Sequence, residues 1–208
     1  PIKSSAASDV YKRQEKALHI YKQLKDKAAS MERRRLAKTG MLRSAHMLGN
    51  EEEIIFAATD LLADTKLAPE LSNEAHYYRA KAYLDAGKTD GAMEDLKVLA
   101  KDTRNVYGAE AKYKVAQIYF DGGQTDKAEQ EVLNYIEVST PHTYWLARSF
   151  VLLADVYMKL GRNLDAKQYL LSLKQNYQAD DDIAGMIESR LEKLLSLIHI
   201  SEPTRLDV

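Results

Sequence analysis

Four glycines, Gly49, Gly87, Gly123 and Gly161, follow one another at intervals of 38, 36 and 38 residues. The residues around them recur in step. Seven positions before each glycine lie Leu42, Ala80, Ala116 and Ala154, and four before lie Ala45, Tyr83, Tyr119 and Tyr157. Five positions after come Ile54, Ala92, Ala128 and Ala166, and nine after come Ala58, Leu96, Val132 and Leu170. The last three copies share A-x-x-Y-x-x-x-G-x-x-x-x-A in full, and the first is degenerate. A fixed period of this length restricts the chain to an architecture in which one supersecondary unit stacks on the next.

The residue types fit a pair of helices. Small Ala at the outer key positions allows close helix crossing. Tyr fills the cleft with its hydroxyl near water. Gly ends the first helix, where a left-handed residue is commonly required. The turns that follow, GKTDGA and GQTDKA, offer Thr89 and Thr125 as N-caps of the second helix. Apolar residues recur at three and four positions, the amphipathic helical period, and Val and Ile never alternate with polar residues as in a strand. Between Glu15 and Leu194 there are two prolines, Pro69 and Pro141, and the commonest residues are good helix formers. The expected fold is all-α.

This pattern resembles the tetratricopeptide repeat family. The resemblance implies an α-solenoid of antiparallel helix pairs wound into a right-handed superhelix. The family's usual period is about 34 residues, and the intervals here are 36 to 38. Its aromatic residue near the start of the first helix is poorly kept, and its proline near the repeat end is absent at the matching positions. The expected layout is a partial unit at 15–30, units at about 32–66, 70–103, 107–139 and 142–178, and a final helix at 181–194. Asp180, Asp181 and Asp182 are expected to cap that helix. The phrases YGAEAKY, TPHTYWLARSFVLLADVY and AKQYLLSL also resemble the multi-repeat tetratricopeptide proteins of Bacteroidota-type bacteria.

The termini are of a different kind. SSAASDVYKRQ at Ser4–Gln14 and LSLIHISEPTR at Leu195–Arg205 do not continue the pattern. One codon choice for DVYKRQ, GAT GTG TAT AAG AGA CAG, has a reverse complement that translates as LSLIHI. The flanking SSAAS and SEPTR extend the match to DNA resembling the transposase end sequence of tagmentation libraries. Residues 1–14 and 195–208 are therefore expected to be adapter-derived tails, excluded from reasoning about the fold. Residues 15–194 are then a piece of a longer reading frame.

Composition narrows the function. The tails hold four of the 30 Lys and Arg and three of the 31 Asp and Glu, leaving 26 against 28. That balance gives no strong field for nucleic acid or an anionic membrane surface, and no apolar run reaches membrane-spanning length. With no cysteine, disulfides, thiolate catalysis and Cys-based zinc sites are excluded. The same absence favours an oxidising periplasmic or cell-envelope compartment over cytosol. His19, His46, His76 and His142 fall on separate units without metal-ligand spacing. No nucleophile elbow, phosphate loop or dinucleotide fingerprint occurs. Neither an enzyme activity nor a cofactor is expected.

The family resemblance supplies a candidate site. It assigns Glu74, Tyr77, Lys81, Leu84 and Asp85 to the concave groove of one unit. In the next it assigns Glu110, Tyr113, Gln117, Phe120 and Asp121, and in the last Arg148, Val151, Asp155 and Met158. An aromatic, apolar and acidic mixture suits a docked peptide or helix, with Tyr as a rigid anchor. The competing reading is that the helices fill this space with their own side chains. Trp145, beside His142 and Tyr144, is expected to open a helix and staple it to the preceding unit. The expected function is a non-catalytic protein-binding scaffold. The alternatives are a spacer or self-association segment of a longer cell-envelope protein, or an accessory repeat region of an enzyme.

Overall fold

The computed structural model describes residues 2–138 and 140–201, with side chains described for 8–138 and 140–196. The part of the adapter reading that falls on Pro1 and on 202–208 lies outside the described residues, as does Ser139 at the end of the third expected full unit. The described residues form ten helices and no strand. They are α1 (Ile2–Lys27), α2 (Met31–Leu48), α3 (Glu51–Leu62), α4 (Pro69–Asp85), α5 (Thr89–Leu99), α6 (Val106–Asp121), α7 (Thr125–Ile136), α8 (Thr143–Lys159), α9 (Asn163–Asn176) and α10 (Ile183–Ser201). They divide into two compact units, Pro1–Leu99 and Ala100–Val208.

The glycine period has a single local cause. Gly49, Gly87, Gly123 and Gly161 adopt φ of 64°, 70°, 73° and 74°, and among the described residues no other residue type has positive φ. Around each, the chain closes a two-bond helix terminus. Gly87 N–H donates to Leu84 O at 2.9 Å, and Lys88 N–H reaches back to Tyr83 O at 2.7 Å. The same pair recurs as Gly123 to Phe120 with Gln124 to Tyr119, and as Gly161 to Met158 with Arg162 to Tyr157. This is the Schellman closure, which satisfies two of the carbonyls a helix end would leave unpaired. The keyed Tyr thus has two jobs, since its carbonyl accepts the long closing bond while its ring packs. A Cβ at Gly161 would meet nothing within 4 Å, so only the backbone conformation opposes it. Gly161→Ala is expected to cost about 1–2 kcal/mol, measured as a lower urea midpoint with unchanged helicity.

Helix starts differ slightly from expectation. Thr125 is the first residue of α7 rather than its cap; Gln124 holds the cap position and makes no side-chain capping bond. Thr89 likewise opens α5 from inside the helix. Elsewhere Asn50 and Asn105 accept from Glu53 and Gly108 backbone N–H as true N-caps. Asp181 Oδ1 accepts from Ile183 N–H at 3.0 Å at the head of α10. Helix α1 runs without a break through Gln14–Glu15, and α10 runs through Leu194–Leu195.

Packing follows the key positions. In the N-terminal unit Leu42, Ala45, Ile54 and Ala58 join Met41 and Leu61 in one core. In the C-terminal unit Ala116, Ala128, Val132, Ala154, Ala166 and Leu170 do the same, joined by Ile183, Ile187 and Leu194 of α10. Each keyed Tyr is covered differently. The Tyr83 ring lies against Gly91, where a Cβ would come within 3.1 Å of it. Tyr119 lies under the Lys127 ammonium at 5.5 Å, and Tyr157 under the Arg162 guanidinium at 4.1 Å.

Candidate partner-binding face

In the N-terminal unit the five assigned residues lie on α4. Glu74 is not an open acid, because Arg43 of α2 clamps it through Nε and Nη2, both at 2.7 Å. Tyr77 is half-buried, and the Lys81 ammonium sits 5.5 Å from its ring centroid. Leu84 is half-buried and Asp85 exposed. Beside them His46 stacks on Tyr78 at 3.9 Å and 15°. Burial, reinforced by Lys81, pushes the His46 pKa below its usual value against the pull of Glu74. The His46–Tyr78 stack therefore holds a neutral ring at pH 7.

In the C-terminal unit the assigned residues part company. Tyr113 and Val151 are core residues, 5% and 2% exposed, and neither offers a partner its side chain. Tyr113 is covered by α8, where Trp145 lies 5.6 Å from its ring and the Arg148 guanidinium 5.2 Å. Trp145 thus staples α8 to α6, as expected. The Tyr113 hydroxyl donates to Gln117 Oε1 at 2.7 Å, and Gln117 Nε2 donates to Asp121 Oδ1 at 2.9 Å. Arg148 also lies against the rings of Tyr144 and Trp145. It donates to the Tyr144 hydroxyl at 2.9 Å and to Asp182, just before α10, at 3.2 Å. Burial opposes its charge, but the Tyr144 and Tyr113 hydroxyls outweigh that and raise its pKa further. Asp155 is clamped by Arg190 of α10, at 3.0 Å from Nε and 2.8 Å from Nη2.

Phe120 and Met158 are half-buried against the core, with the Lys159 ammonium 5.0 Å over the Phe120 ring. Glu110 and Gln117 are half-buried and Asp121 is exposed. In the C-terminal unit the assigned residues are therefore of two kinds, buried and partly accessible. The middle of α6 and α8 is closed by their own aromatic and guanidinium groups. The C-terminal ends of α4, α6 and α8 keep partly accessible apolar and charged residues.

One polar cluster was missed by the sequence reading. Asp95 of α5 is 2% exposed. It accepts from Arg79 Nε and Nη2, each at 2.8 Å, and pairs with His76 Nδ1 at 2.7 Å. Arg79 Nη1 continues to Thr59 Oγ1 of α3 at 2.9 Å. A signal for it was present. The residues eleven before and eight after the glycine are His76 and Asp95, Lys112 and Glu131, and Phe150 and Tyr169. Each couple meets across its helix pair: Lys112 bonds Glu131 at 2.8 Å, and the Phe150 and Tyr169 rings are 6.1 Å apart. A basic side chain faces an acid in two repeats, and ring faces ring in the third.

Two Tetratricopeptide repeat family profiles match, one residues 74–102 and the other 147–175, the segments that carry most of α4–α5 and most of α8–α9. Both compact units carry tetratricopeptide repeats. Solved structures agree at the level of fold. A variant of the nearly identical TPR-like repeats of a candidate kinesin light chain from Podosopora anserina is 16% identical, with 92% of this chain and 97% of that chain covered and a TM-score of 0.56. A second crystal structure of those repeats is 18% identical over 83% and 94%, also at 0.56. The crystal structure of MamA protein is 16% identical over 93% and 98%, at 0.50. No curated protein matches the chain. Among the described residues no helix is long and apolar enough to cross a membrane, and no group of His, Asp and Glu could hold a metal ion.

Proposed function

We propose that these tetratricopeptide repeats form a non-catalytic scaffold that binds a peptide or helix of a protein partner. The observation that carries this reading is the partly accessible set of residues that first helices of the repeats carry within each compact unit. Tyr77, Lys81, Leu84 and Asp85 on α4 are half-buried or exposed. So are Gln117, Phe120 and Asp121 on α6 and Met158 on α8. Rings and apolar side chains anchored at their bases, with charge beside them, supply contact area at little ordering cost.

A library of randomised peptides selected on the purified chain tests it. Selected peptides should bind a Tyr77→Ala, Lys81→Glu variant at least about tenfold more weakly, with far-UV circular dichroism unchanged. Equal binding to the variant and the parent chain would remove this face from consideration.

A further inference from the structure

We draw no further inference here: the strongest candidate, the ring-lined cleft between α8 and α9 bounded by Phe150, Tyr157, Arg162, Asp165, Gln168 and Tyr169, carries none, because its one cation is already held by Glu129 and Asp165 and nothing in the structure shows what covers its rings.

Discussion

Asp95→Asn is expected to destabilise the N-terminal unit by about 3–5 kcal/mol, because it strands Arg79 beside an uncharged partner in a largely buried site. The Asp95 side chain is 3% exposed and that of Arg79 is 18% exposed. Burial pushes the Asp95 pKa up, but the hydrogen bonds from Arg79 and His76 outweigh it and hold the carboxyl below the usual carboxylate range. A depressed folded-state pKa means that the ionised form stabilises the fold. That contribution is complete above the unfolded value of about 3.9. It is lost as pH falls through the lower folded value. Urea midpoints at pH 7 and at pH 3 check both parts. The parent chain should lose stability on the acid side, and the gap between parent and variant should narrow there. Replacing the pair together, as Arg79→Met with Asp95→Leu, should cost much less than Asp95→Asn alone, since no charge is then left unpaired.

Tyr113→Ala is expected to cost about 3–5 kcal/mol in the C-terminal unit. It removes a ring that is 5% exposed from beneath Trp145 and Arg148 and deprives Gln117 of its hydroxyl donor. Trp145 is the sole tryptophan, so its fluorescence followed against urea reports this site directly. Tyr113→Phe keeps the ring and should cost only about 1 kcal/mol. A midpoint unchanged by Tyr113→Ala would contradict the buried placement. The size of the effect also bears on function. Lost binding in this variant would follow from lost packing, which is why Tyr77 and Lys81 are the sharper probes of the candidate face.

The residues that were legible were those answering to a local rule. A glycine at a positive φ, with its two closing hydrogen bonds, is dictated by main-chain sterics within six residues, so the period of the four glycines located every first-helix end in the repeats. Small and apolar key residues such as Ala80, Ala128 and Leu170 followed, because helix pairs cross closely only where side chains are small and shield apolar groups there. Cap identity was less legible. Thr125 suits a cap by type, yet the chain enters α7 one residue earlier, at Gln124.

The candidate face shows where local rules stop. Tyr77 and Tyr113 hold the same place ten residues before their glycines, and the sequence treats them alike. Tyr113 is buried because Trp145 and Arg148, thirty-two and thirty-five residues later, lie on its ring. Glu74 and Asp155 read as open acids, and each is clamped by an arginine from another helix. By itself, the sequence determined the helix-pair repeat, its register and its buried small-residue seams, since these depend on neighbours a turn or two away. Only the tertiary structure decided which polar and aromatic residues remain accessible, because long side chains reach across helices and their partners come from distant parts of the chain.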